Sequence, residues 1–179
     1  LETLDWTDSI KDIQKNWIGK SQGAAVNFKV DGVDDEIEIF TTRPDTIYGV
    51  SFMVLAPEHE LVLKITTPKQ MDKIEAYKKA ASLKSERDRM SDVKTISGEF
   101  TGAYALHPFT GSKIPIWIGD YVLSSYGTGA VMSVPCGDQR DWDFAKYFKI
   151  EIPNIFKDQD ISELVYDEKD AIITNSEFL

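Results

Sequence analysis

Three short segments of this sequence carry side chains suited to handling a small charged substrate. The first is Thr41-Thr42-Arg43-Pro44-Asp45-Thr46, where two threonines end an apolar alternation and a proline stops it. Neighbouring residues of a strand point to opposite faces, so Thr41 and Thr42 offer hydroxyls and amides on both sides of a bend. Pro44 fixes its own φ and disfavours a helical Arg43. Thr46 is β-branched and stiff at χ1, which suits the wall of a small pocket. The same residues also suit an ordinary strand-to-loop turn in which Asp45 or Thr46 caps a helix.

The second segment is Tyr126-Gly127-Thr128-Gly129-Ala130-Val131-Met132-Ser133-Val134-Pro135. Its two glycines let the backbone approach a ligand closely, or simply make a tight turn into a core strand. The third is Asp138-Gln139-Arg140-Asp141. Asp138 suits a helix cap, and both carboxylates suit the positive end of a helix. Asp141 competes for another role, because a carboxylate at a pocket rim holds an ammonium group by charge-assisted hydrogen bonds. Cys136 has no histidine near it in sequence and is not expected to be a nucleophile. His59 and His107 have no neighbour that would orient them for catalysis, and one cysteine with two distant histidines gives no metal-ligand spacing. No metal site is expected.

The elements that must position these residues follow from periodicity. Trp6, Ile10, Ile13 and Trp17 recur at helical spacing, and Gly19 suits the stop. Val26, Phe28 and Val30 alternate, as do Ile37 and Ile39 beyond Asp31-Gly32, which predicts a β-hairpin. Residues 49–56 predict another strand. Thr67-Pro68-Lys69-Gln70 predicts a helix start with Thr67 as cap and Gln70 closing a capping box. Met71, Ile74, Tyr77 and Ala81 form its apolar stripe, with lysines on a solvated face. Residues 113–123 predict two short strands, 129–134 a further strand, and 138–148 a helix. Ala171-Ile172-Ile173 is strand-like. This order predicts an α+β fold, a β-barrel-like core with flanking helices, rather than regular βαβ units.

The 179 residues fit one domain, 1–179. At 42% hydrophobic and 11% aromatic the composition is that of a folded chain. No run approaches the roughly 20 apolar residues of a membrane helix. The opening Leu1-Glu2-Thr3-Leu4-Asp5-Trp6 lacks the basic end and apolar run of a signal peptide, and the chain is expected to be a piece of a longer protein. One cysteine excludes an internal disulfide and favours a reducing compartment. A net charge of −10 argues against extensive phosphate contacts, although an acidic domain can accept a few nucleotides when other domains hold most of the RNA.

Taken in order, these segments resemble the inserted editing domain of the leucyl-tRNA synthetases. Thr41 to Thr46 matches its threonine-rich signature, Gly127 to Met132 its second signature, and Asp138 to Asp141 its third. Asn16-Trp17-Ile18-Gly19-Lys20-Ser21 and Ile173-Thr174-Asn175-Ser176-Glu177-Phe178-Leu179 resemble its two ends. Isoleucyl- and valyl-type editing domains carry a different threonine-rich stretch and usually a histidine where Met132 stands. The chain departs from that family's pattern at Cys136-Gly137, where Gly-His or Ala-His is common. The obvious general base is therefore missing.

The resemblance implies hydrolysis of the ester joining a wrong amino acid, norvaline or isoleucine, to the 3′-terminal adenosine of tRNA-Leu. It implies that Thr41, Thr42 and Asp141 are catalytic, with Asp141 binding the α-ammonium group and Thr46 excluding leucine. Arg43, Tyr126, Met132, Val134 and Asp138 would contact substrate. Water would attack, with no covalent intermediate. No cofactor is implied for editing, while the parent ligase uses ATP. The implied partners are the tRNA 3′ end and the rest of the synthetase, the isolated domain being a monomer. The implied compartment is the cytoplasm, an organelle version remaining open. A non-catalytic module that binds the CCA end or a protein is the alternative on the same fold.

Overall fold

The computed structural model describes residues 1–91, 95–125, 127–166 and 171–174. A helix, α1 (Asp8–Ile18), ends before Gly19. A hairpin follows, β1 (Ala24–Val30) and β2 (Glu36–Thr41), in the register Val26↔Ile39 and Phe28↔Ile37. Phe28, Val30, Ile37 and Ile39 are buried, as their alternation predicts. The chain then makes a 3₁₀ helix (Pro44–Gly49) and enters β3 (Phe52–Leu55). Three helices follow, α2 (Leu61–Ile65), α3 (Met71–Ser82) and α4 (Glu86–Ser91). Then come β4 (Glu99–Leu106), β5 (Lys113–Ile118), β6 (Ala130–Ser133) and α5 (Gln139–Phe148).

The six strands form one sheet in the order β2-β1-β4-β5-β3-β6. Only the β3–β5 pair is parallel. The outer strands β2 and β6 come together, so the sheet curls into a nearly closed barrel. The mixed architecture matches the expected barrel-like core with flanking helices. It also carries the end of β2 to the end of β6, and with them two of the three chemistry-bearing segments.

β3 is buried along its whole length rather than alternating. Met53 and Leu55 face the main core, while Phe52 and Val54 pack with Phe144 and Ala145 of α5. A strand covered on both sides reads as an unbroken apolar run. The Phe52 and Phe144 rings stack at 4.9 Å, and Trp117 meets Phe144 edge-on at 5.5 Å. These contacts pin α5 across the sheet.

Three expectations are corrected. Residues 113–123 hold one strand, because the chain turns at Gly119–Val122 after β5. Thr67 is not a cap: α3 begins at Met71 with no side-chain cap, and the Thr67 hydroxyl donates to the Thr101 carbonyl at 3.4 Å. Ala171-Ile172-Ile173 contributes only an isolated bridge, Ile173↔Phe156. The stripe of α1 has its predicted period, yet the helix buries no residue, and Trp17 is 87% exposed.

The Thr67 contact depends on a bulge in β4, where register shifts between Phe100 and Tyr104. Gly102 there has φ +81, and an added Cβ would collide with the Thr67 side chain. Gly102→Ala is expected to cost about 1–3 kcal/mol, read as a lowered urea midpoint at unchanged slope; an unchanged midpoint would show that the bulge can relax.

Candidate functional site

The threonine-rich turn is built from its own backbone. Thr41 ends β2, and its Oγ1 accepts the Arg43 amide at 3.0 Å. The Arg43 guanidinium forks onto Asp45, Nε to Oδ1 at 3.1 Å and Nη2 to Oδ2 at 2.9 Å. That pairing raises the Arg43 pKa above its ordinary value. The Thr46 hydroxyl donates to the Arg43 carbonyl at 2.9 Å. Neither Asp45 nor Thr46 caps the 3₁₀ helix, so the capping account fails for both. With its proton committed, Thr46 contributes β-branched bulk, buried to 6% exposure.

The acidic segment is built by the start of α5. Asp138 is its N-cap, and its Oδ1 accepts the Asp141 amide at 3.1 Å. The capping account is correct for Asp138. Asp141 lies one turn on, and its Oδ2 accepts the Val134 amide at 2.8 Å. A helix start and a strand end are thus joined through one carboxylate. Burial pushes the Asp141 pKa up to about 7, with the nearby Asp138 carboxylate adding to the rise.

The two segments close around one cavity of about 200 Å³, lined by Thr41, Arg43, Thr46, Met132, Val134, Gly137, Asp138, Asp141, Phe156 and Tyr166. Seven of the predicted site residues are in that wall. Thr42 is not: it is exposed, because its neighbour Thr41 takes the inward position at the end of the strand. Tyr126 lies outside the described residues. A wider hollow of about 440 Å³ beside α1 is lined by Leu1, Lys15, Asn16, Ile18, Gly19 and Lys20 and carries no carboxylate.

Phe156 and Tyr166 carry no signal in the sequence, and Gly137 stands there only as part of the departure from the resembled pattern. Phe156 and Tyr166 lie in the tail, where no periodicity marks them, and their rings pair at 5.4 Å. The Tyr166 amide donates to the Cys136 carbonyl at 3.0 Å, which ties the tail to the site. A Cβ on Gly137 would stand 3.1 Å from the Phe156 ring, so that aromatic fills the space beside a side chain there.

The remaining candidates are structural. Cys136 is fully buried and its thiol pKa is raised by that burial, which suppresses thiolate. His107 accepts the Phe109 and Thr110 amides at Nδ1, so its Nε2 is the donor to the Ile47 carbonyl at 3.0 Å. The Leu61 amide donates to His59 Nδ1. Burial lowers the pKa of both histidines. Among the described residues no group of three or more His, Cys, Asp or Glu could hold a metal ion.

A cavity with two carboxylates in its wall, a hydroxyl at its rim and a stiff β-branched residue beside them can hold a small ammonium-bearing group and sort it by shape. Known proteins bear on which group. The family described as leucyl-tRNA synthetase, editing domain, matches residues 15–179. Along its whole length the chain is 62% identical to a leucine–tRNA ligase of Christiangramia forsetii, covering 19% of that protein. It is also 62% identical to one of Flavobacterium johnsoniae, again covering 19%. Among solved structures it is similar to the synthetase in a LeuRS–tRNA–LeuAMS ternary complex from Agrobacterium radiobacter. Identity there is 34% and the TM-score 0.71, over 90% of this chain and 19% of that one. The chain thus spans about a fifth of the length of these relatives.

The raised Asp141 pKa has a stability consequence. A carboxyl whose pKa rises on folding favours the fold while protonated, and loses that contribution as pH climbs from about 4 to about 7. Asparagine cannot ionise and can still accept the Val134 amide. Asp141→Asn is therefore expected to melt above the wild type at about pH 8, each kcal/mol gained being worth about 2–4 °C, with the gap shrinking toward pH 4. Melts at both pH values check this; a gap that does not change with pH would place the carboxyl in ordinary solvent.

Proposed function

This chain belongs to the editing-domain family of the leucyl-tRNA synthetases, and from that premise we propose that its cavity hydrolyses the ester of mischarged tRNA-Leu. One observation carries the proposal: Thr46 and Asp141, 95 positions apart in sequence, line the same 200 Å³ cavity. A non-catalytic binding module has no need of that convergence.

Asp141 takes the α-ammonium group of the aminoacyl ester through its carboxylate. The charge of the incoming group favours the ionised acid, so a carboxyl with a pKa near 7 loses its proton to water as the substrate seats. This ion pair fixes where the amino-acid side chain must go, against Thr46, Met132 and Val134. The Thr41 hydroxyl accepts the Arg43 amide and keeps its own proton for the ester, the attacking water or the terminal ribose. Water adds to the ester carbonyl, the tetrahedral intermediate collapses, and the ribose oxygen leaves with a proton. The products are free amino acid and tRNA with its 3′ hydroxyl restored. The described lining has no imidazole, so the attack relies on a positioned water and the substrate's own vicinal hydroxyl.

Selectivity follows from shape. One methylene gives a synthetic site only about 1–3 kcal/mol of discrimination, so near-isosteres of leucine are charged by mistake. The Thr46 wall rejects the γ-branch of leucine and admits norvaline, which lacks it, and isoleucine, which branches earlier. Editing uses no cofactor here, and ATP serves the parent ligase, in the cytoplasm.

Two substitutions in the parent synthetase test this. Asp141→Ala is expected to lower norvalyl-tRNA-Leu hydrolysis by at least one to two decades, since a hydrogen bond to a charged group contributes about 1.5–3 kcal/mol. Unchanged hydrolysis would refute the ammonium anchor. Thr46→Ala is expected to open the wall, so that correctly charged leucyl-tRNA is hydrolysed while norvalyl hydrolysis persists. The readout is the ratio of leucyl to norvalyl deacylation. A ratio equal to wild type would remove Thr46 from selectivity.

A further inference from the structure

Behind the cavity wall stand two hydroxyls that the mechanism above does not use. Ser133 is the last residue of β6, paired with Phe52 of β3, and is fully buried. Tyr121 lies in the turn after β5, its ring packed edge-on to Phe144 at 6.1 Å with the Arg140 guanidinium 5.3 Å above it. Ser133 Oγ and the Tyr121 hydroxyl are both sealed from solvent, and neither completes a well-formed hydrogen bond. Buried hydroxyls without partners are costly and rare, so each calls for a reason. Ser133 immediately precedes Val134, whose amide holds Asp141. It is close enough to both Asp141 and Tyr121 to favour their ionised forms. Asp141 lines the cavity, and Ser133, beside both Asp141 and Tyr121, links the carboxyl to the phenol.

We propose that Ser133 and Tyr121 are positioning residues of this site, two stored donors that turn onto the Asp141 carboxylate when it receives the ammonium group of an aminoacyl ester. This rests on the reading of Asp141 as the ammonium anchor. While the Asp141 carboxyl holds its proton it makes little demand on a donor, so the hydroxyls idle. When the ammonium group seats, the carboxyl proton leaves to water and a full negative charge appears in a site shielded from solvent. Ser133 Oγ–H then donates to Asp141, and Tyr121 O–H donates to Ser133 Oγ. One carboxylate oxygen is already taken by the Val134 amide, so the added donor steadies the carboxylate while it faces the ligand. The neighbouring charges alone do not provide this. Asp138 opposes ionisation, Arg140 from the same helix favours it and sits over the Tyr121 ring, the Cys136 thiol is buried, and Arg43 across the cavity is forked onto Asp45.

The test uses the parent synthetase with Ser133→Ala, Tyr121→Phe and the double substitution. Norvalyl-tRNA-Leu hydrolysis is followed as separate kcat and KM values from about pH 5.5 to about 8.5. Losing the Ser133 donor is expected to raise KM roughly tenfold on the acidic side, with a smaller change in kcat, and to move the acidic limb of kcat/KM to higher pH. Tyr121→Phe should act in the same direction more weakly. The double substitution should add little to Ser133→Ala, because the two hydroxyls act in series. The Tm should not fall in either single variant, since each deletes an unpartnered buried hydroxyl. An acidic limb that stays in place in both single variants, or a Tm that falls with kcat and KM unchanged, would make the hydroxyls structural and overturn the proposal. Asp141→Ala separates the two claims. If hydrolysis survives it, the anchor reading fails; if hydrolysis is abolished while Ser133→Ala leaves the limb unmoved, only the hydroxyl pair fails.

Discussion

The bond from the Val134 amide to the Asp141 carboxylate, at 2.8 Å, is the contact on which the site depends. It joins the last residues of one edge strand to the first turn of a helix that crosses the sheet. A carboxylate placed this way satisfies a strand-end amide that would otherwise be orphaned, and it draws on the positive end of α5. It cannot make the bond unless α5 arrives at the right height. The aromatic stack of Phe52, Phe144 and Trp117 fixes that height. The near closure of the barrel then carries the end of β2, with Thr41 and the 3₁₀ helix, to the same place. Packing far from the cavity sets the distance between a carboxylate and a threonine wall that share no local sequence.

Placing the carboxylate there costs solvation, and the acid responds by taking up a proton near neutral pH rather than by breaking the fold. A group tuned this way discriminates by charge. A neutral ligand gives it no reason to ionise, whereas a cationic one lifts part of the desolvation penalty by pairing. The net charge of −10 is compatible with such a site, because a cavity that accepts only the last ester-bearing nucleotide does not need the basic surface that long phosphate contacts demand.

What could be read from sequence was what is periodic or local. The β1–β2 hairpin follows from Val26, Phe28, Ile37 and Ile39, and α5 with its Asp138 cap follows from local capping chemistry. The strand that became β4 was not legible, since the bulge at Gly102 breaks its alternation. Thr67 misled because a good capping residue was taken by a neighbouring carbonyl across the bulge, a tertiary contact overriding local preference. At the site, Thr46, Met132, Val134, Asp138 and Asp141 were legible as motif residues, and Thr42 was assigned a place that the strand's two-residue period gives to Thr41 alone. Phe156 and Tyr166 were illegible for the opposite reason: irregular backbone returns them to the cavity, and nothing local to the tail announces it.

Gly137 shows how one departure from a family pattern propagates. Where relatives often place an imidazole, this chain has no side chain, and the Phe156 ring sits beside the position. The wall there is aromatic, with Phe156 and Tyr166, and its charged groups are Arg43 and the two aspartates. An apolar surface opposite these carboxylates excludes loosely held water and leaves room for one that is well placed. It also removes a second titrating group from the neutral range, so the pH response of the cavity falls to Asp141 and to whatever steadies its charge. A site without an imidazole must obtain its selectivity from shape and its attacking water from position, and both demand that Thr46 and Asp141 stay where the barrel and the α5 stack hold them.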